Sequence, residues 1–380
     1  MRYFVSLFWV MGLSAQSIDL QIAATKHGDT LFLTGEHKAY DIQIDKPITI
    51  IGNDADIDGQ HKGSVFIITS DSVELSGLRI KNVGHSYTQD HAAIKINNAS
   101  QIILQDNHID KAFFGIYLER SKKVKIIGNT IRGDARSQSD SGNGIHVWNC
   151  KELVVQNNTV AGLRDGIYFE FVHDSQIENN QSHNNLRYGL HFMFSNHNTY
   201  SDNVFTQNGA GTAVMFSNHV QMRRNRFSHN WGSHAYGLLL KEVNDLVVEE
   251  NIFESNTIGI NAEGLNRIVY RYNLFKNNGW AVKFRGACTG NRFSKNNFID
   301  NAFDISYTGP VHDNRFVNNY WSRYQGYDLN KDKMGDVPYR PVKLFSVIIN
   351  KTPEALVLLK SMFVGLLNHS EQVSPIFTPS

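Results

Sequence analysis

The chain has 380 residues, with 37 Lys plus Arg against 36 Asp plus Glu and a formal net charge of +1. That balance, with no basic stripe, argues against a nucleic-acid partner. Two cysteines, Cys150 and Cys288, are too few for a disulfide framework.

Met1 to Ala15 reads as a cleaved secretory signal: Arg2, then the apolar run Phe4 to Leu13, then Leu13-Ser14-Ala15 before Gln16. The apolar run is too short to span a bilayer. The mature chain is therefore expected to be exported and soluble.

Residues 16–319 read as one solenoid. Short apolar strands start at Gly115, Gly144, Gly166, Gly189, Ala213, Gly237, Gly259, Ala281 and Phe303, with gaps of 22 to 24 after a first step of 29. A second series, Asn107, Asn129, Asn158, Asn180, Asn203, Asn225, Asn251, Asn273 and Asn296, runs out of phase with it. Fixed-period repeats of this length signify a solenoid. Both halves of the repeat alternate apolar and polar at period two, with no helical stripe. The fold expected is all-β: a right-handed parallel β-helix of about 22–24 residues per coil, with coils about 4.8 Å apart. Gly and Asn suit corners that need φ > 0, and stacked Asn amides can bond from coil to coil. Gly133 to Gly142 lengthens one coil and is expected to bulge out. The two cysteines lie about six coils apart, beyond disulfide reach, so both are expected as free thiols.

Within each G-I-x-φ strand, the first and third residues after the start are read as inward, ending with Val214/Phe216 and Leu238/Leu240. The second and fourth then face outward. On that reading His191 and Met193 share a strand, with Met215 beside His191 on the next coil. Thioether plus imidazole without a carboxylate suits Cu(I), so His191, Met193 and Met215 are a candidate copper transfer surface. His146 is a weaker member. Tyr168, Trp148 and Glu170 extend the patch into a candidate docking face. Polysaccharide-cleaving β-helices need carboxylates clustered on neighbouring coils. Here Glu119 and Glu170 stand two coils apart with no adjacent Asp, which argues against catalysis.

Residues 320–350 are expected to be an irregular extension. Asp328, Asn330 and Asp332 resemble a calcium loop, but Tyr339 stands where a closing Glu is required, so an acidic turn is the better reading. A helix is expected over 351–368, starting at Thr352-Pro353-Glu354 and apolar nearly all round. It reads as a cap or partner helix, with Leu358 and Phe363 as docking residues. Residues 369–380 are expected to be a tail.

The runs RDGIYFEFVHDS (164–175), NLRYGLHFMFSNHNTYSDNVFTQNGAGTAVMFS (185–217), GLLLKEVNDLVVEEN (237–251) and NNYWSRYQGYDLNKDKMGDVPYRPVKLFS (318–346) resemble the nitrous oxide reductase maturation family NosD. The likeness covers most of the chain. It implies a noncatalytic periplasmic protein that handles copper. The partners it implies are an ABC transporter (a permease and its ATPase), a small copper chaperone and nitrous oxide reductase. Any membrane contact would run through the permease. An exported carbohydrate-binding or polysaccharide-modifying β-helix is the alternative.

Overall fold

A computed structural model describes residues 17–86, 88–309 and 311–373. The signal reading over 1–15 and the end of the tail lie outside the described residues. Three short strands recur per coil. Two of them build a 24-stranded sheet and the third a 12-stranded sheet, the latter in strict coil order. The pairings are parallel and nearly in register, as in Tyr200 opposite Met222 and Val248 opposite Tyr270. This is the parallel β-helix that the repeat implies.

Coil spacing matches aromatic stacking distance, and the core exploits it. Phe205, Phe227, Phe253, Phe275 and Phe298 stack at 4.8–5.5 Å, ending on Trp321 at 4.2 Å. The asparagines form a continuous ladder from Asn107 to Asn319, buried except at its last rung, each Nδ2 donating to the next Oδ1 at 2.9–3.1 Å. A second ladder, Asn185, Asn208, Asn230, Asn256, Asn278 and Asn301, runs along another corner. The asparagines of the first ladder do not occupy the corners with φ > 0. The positive-φ residues are those just before the asparagines, including Asn157 (57°), Asp202 (58°), Arg224 (52°) and Tyr272 (57°). The ladder asparagines are selected for side-chain hydrogen bonding alone.

The phase of two coils also differs from the sequence reading. Gly189 packs on the Gly211 carbonyl, so this strand starts at Gly211 and not Ala213. Trp280 pairs with Phe303, so the last start falls at Asp304. The insertion displaced from the count sits at Trp231–Tyr236, ahead of Gly237.

The ends are closed by helices. Ile18–Ala24 buries Ile18 and Ile22 at the first coil. At the other end Val342 bridges Ile305, and helix Leu344–Lys351 lays Phe345 and Ile349 against Phe303. The single helix expected over 351–368 is instead a 3-10 turn, Pro353–Leu358, followed by helix Met362–Val373. Proline cannot continue the preceding helix, so Pro353 separates helix Leu344–Lys351 from the 3-10 turn. Val364 is buried, but Val357 is 87% exposed and Phe363 55%, with Leu358 also exposed. The segment is therefore apolar without being buried all round. Cys150 and Cys288 are free and buried.

Candidate site on the outward face of the short sheet

The short sheet brings together most of the residues singled out from the sequence, through a feature that simple alternation misses. Each starting glycine turns inward: a Cβ on Gly166 would lie 2.0 Å from Ser182 Oγ, and one on Gly144 would lie 2.2 Å from Val160 Cγ1. Two successive residues, Gly and Ile, thus face the core. The residue before the glycine escapes to the outer face. Three outward columns result. The first is Phe114, Asn143, Asp165, Tyr188 and Ala210; the second Tyr117, His146, Tyr168, His191 and Ala213; the third Glu119, Trp148, Glu170, Met193 and Met215.

The second column is a staircase of rings. Tyr117 and His146 stack at 4.7 Å and 4°, and His146 and Tyr168 at 4.8 Å and 15°. Tyr168 meets His191 edge-on at 5.0 Å, and Tyr188 covers the same imidazole at 4.7 Å. The Tyr188 hydroxyl pairs with that of Tyr236 at 3.2 Å, and Arg187 lies over the Tyr188 ring. His191 was expected to face solvent. It does stand on the outer face, but this cover leaves it only 2% exposed.

The register also changes the proposed trio. His191 lies opposite Ala213, whereas Met193 lies opposite Met215. The two thioethers are therefore rung neighbours, both half-buried, and the imidazole is two residues from Met193 on the same strand. Met193 Sδ is 3.8 Å from the Tyr168 hydroxyl, which also reaches Glu170 Oε2 at 3.1 Å. Phe216, read as inward, is outside. It stacks on Phe194 and Phe194 on Phe171, at 5.1 and 5.2 Å. All three adopt positive φ, at 51°, 49° and 54°, a strained conformation for a bulky residue. This ridge directly follows Glu170, Met193 and Met215. Tyr168, Trp148 and Glu170 border the same patch; Leu358 and Phe363 belong to the separate apolar end.

Burial sets the protonation of the site. His146 is pushed down to about 3 by burial and by the Arg164 cation, with Asp165 opposing. It is neutral at ordinary pH, and its Nδ1 sits 2.9 Å from Asn143 Nδ2. An amide NH2 only donates, so this nitrogen accepts and is not available to a metal. Burial likewise holds the Tyr168 and Tyr236 hydroxyls protonated.

The residue missed from the sequence is Asp165. It is fully buried, and its Oδ2 lies 3.5 Å from His191 Nδ1 and 3.9 Å from Arg187 Nη1. The His191 contact is longer than a good hydrogen bond, and neither imidazole nitrogen makes one. A carboxylate does therefore adjoin this face, contrary to the expectation of no adjacent Asp. Only the inward turn at Gly166 puts it there. At the other candidate, Asp328 accepts the Asp332 and Lys333 amides, and Asp332 accepts that of Met334. That is the bonding of an acidic turn.

A family model described as "Periplasmic copper-binding protein (NosD)" matches residues 127–326. A second, described as a protein of unknown function, matches 20–204. A relative from Pseudomonas aeruginosa named "Probable ABC transporter binding protein NosD" is 30% identical over 354 residues, 88% of this chain and 82% of its own. One of the same name from Stutzerimonas stutzeri is 28% identical over 341 residues, 84% and 77%. Among solved structures, the family 28 exopolygalacturonase of Yersinia enterocolitica superposes with a TM-score of 0.55 at 10% identity, covering 79% of this chain and 75% of that one. At that identity the likeness is one of fold alone.

Proposed function

Because the chain belongs to the NosD family of periplasmic copper-binding proteins, we propose that it is a noncatalytic accessory of an ABC transporter that helps supply copper to nitrous oxide reductase. On this reading the protein is exported by a cleaved signal and receives Cu(I) from a small copper chaperone. The observation that carries the reading is the pair of thioethers, Met193 and Met215, on adjacent rungs beside an imidazole with both nitrogens unpartnered. Soft sulfur and borderline nitrogen suit Cu(I). Met193 and Met215 are half-exposed and His191 is sealed, so the thioethers meet the ion first. The imidazole engages once Tyr188 and Tyr236 part.

Trp148, Tyr168 and Glu170, with the phenylalanine ridge beside the sulfurs, supply the chaperone-facing surface. The exposed apolar end at Leu358 and Phe363 docks on the permease, whose ATPase lies beyond the membrane. A contiguous apolar patch on a soluble surface marks such an interface. Cu(I) titration against a competing chelator tests the reading in His191→Ala, Met193→Ala and Met215→Ala proteins. Affinity should fall in each. Unchanged affinity in all three, together with unchanged reductase maturation, would reject it.

The alternative, an exported carbohydrate-binding β-helix, draws on a hollow of about 400 Å³ lined by Arg187, Tyr188, Trp231 and Tyr236. Trp231 is 66% exposed there, as a sugar-stacking ring is. Retention of an acidic polysaccharide on the immobilised protein, lost in Trp231→Ala, would favour it.

A further inference from the structure

A fully buried carboxylate is costly unless it is paired and hydrogen-bonded. Asp165 is only half provided for. Its Oδ1 accepts the Tyr188 backbone N–H at 3.2 Å, while Oδ2 makes no hydrogen bond and faces His191 Nδ1 at 3.5 Å. Arg187 offers Oδ2 a cation at 3.9 Å, beyond hydrogen-bond length. The imidazole opposite is just as incomplete, since neither ring nitrogen has a partner. The neutral ring carries one N–H, and its two tautomers are not equivalent here. With the proton on Nδ1, an N–H points at the carboxylate. With the proton on Nε2, two lone pairs confront each other in a buried site.

We propose that Asp165 is a positioning residue that holds His191 as the Nδ1–H tautomer and so keeps the Nε2 lone pair free for Cu(I). The inference rests on the copper reading above and extends it one residue back from the ligand. Metal-ligating histidines commonly donate their other ring nitrogen to a carboxylate, which fixes both tautomer and orientation. Here the partner is supplied from the preceding coil, by the residue that Gly166 turns outward. No other carboxylate is paired with His191 among the described residues.

Asp165→Asn tests this with little change of shape. The Asn carbonyl keeps the Tyr188 N–H, so its NH2 takes the place of Oδ2 and donates toward His191 Nδ1. The ring proton must then move to Nε2, the nitrogen that copper needs. Histidine-selective 15N labelling and long-range 1H–15N correlation of the apo protein read the tautomer directly, with His191→Gln giving the assignment. We expect Nδ1–H in the wild type and Nε2–H in Asp165→Asn. Cu(I) affinity in a chelator competition should fall 10–100-fold in the variant.

A wild-type ring protonated at Nε2 overturns the proposal, and this measurement stands even if Asp165→Asn does not fold. So does an Asp165→Asn protein with unchanged tautomer and unchanged affinity while His191→Ala binds weakly. A tautomer swap with copper affinity unchanged in both Asp165→Asn and His191→Ala would instead refute the copper reading and leave the positioning role standing.

Discussion

Replacing Asn203 by alanine measures how much the amide ladder stabilises the solenoid. Asn203 is fully buried in mid-stack. Its Oδ1 accepts both the backbone N–H and the Nδ2 of Asn180 at 2.9 Å. Its Nδ2 donates to the Ile177 carbonyl at 2.9 Å and to Asn225 Oδ1 at 3.0 Å. In Asn203→Ala the Asn180 backbone N–H loses the partner that Oδ1 provided, and one Nδ2 hydrogen of Asn180 loses it as well. Asn225 Oδ1 still receives the residue-203 N–H at 3.1 Å. Two buried donors left unmade, at roughly 1–3 kcal/mol each, give a loss of about 4 kcal/mol. Asn319→Ala is the control. It removes the equivalent acceptor from Asn296, at 2.9 and 3.0 Å, but on the last rung, where water can substitute. A loss of about 1 kcal/mol is expected there. Urea unfolding followed by far-UV circular dichroism reads both, as a drop in midpoint at constant m. Equal losses in the two variants, or a loss below about 1 kcal/mol in Asn203→Ala, would refute the reasoning.

Acid should destabilise the protein through His146. Its folded value of about 3 lies below the ordinary histidine value of 6.5, so between these pH values the unfolded chain binds a proton that the folded chain does not. The stabilisation is present in full above the unfolded value and is lost as pH falls through the window, with a slope approaching about 1.4 kcal/mol per pH unit. His146→Phe, which keeps a ring between Tyr117 and Tyr168, should flatten that slope in urea midpoints measured against pH; an unaltered slope counts against the assignment. Gly166→Ala places a Cβ 2.0 Å from Ser182 Oγ and 2.7 Å from the Gly189 carbonyl. It should cost about 2–3 kcal/mol, and a neutral result in the same assay would mean that the inward turn is not required. Phe363→Asp and Val357→Asp change exposed side chains and should leave stability within about 0.5 kcal/mol. Co-purification with the detergent-solubilised permease should nevertheless be lost, and undiminished co-purification would exclude this end as the docking surface.

The period of the chain decided the fold. A strand repeated every 22–24 residues, with Asn at one phase and Gly at another, has no way to bury its apolar side except by stacking coil on coil. The asparagine ladder from Asn107 to Asn296 follows from that period; the phenylalanine stack and the second asparagine ladder emerge only once the coils are packed. What stayed out of reach were the quantities set by the third dimension. Period-two alternation reports a side chain's face only while the strand stays regular, and the inward glycine breaks it, which hid Asp165 and Tyr188 from the outward columns. Counting from the wrong start slid Ala213 into the place of Gly211 and put Met215 beside His191, because an insertion at 231–236 is invisible to a reading based on similar spacing. Exposure was equally undecidable. His191 faces outward, as its position in GLHFM requires, yet Tyr168 and Tyr188 cover it, and Tyr236, 45 residues away in sequence, bonds the Tyr188 hydroxyl. The pattern fixes which way a side chain leaves the backbone only along the regular part of a strand; packed neighbours from other coils determine whether it then meets water, a carboxylate or a metal.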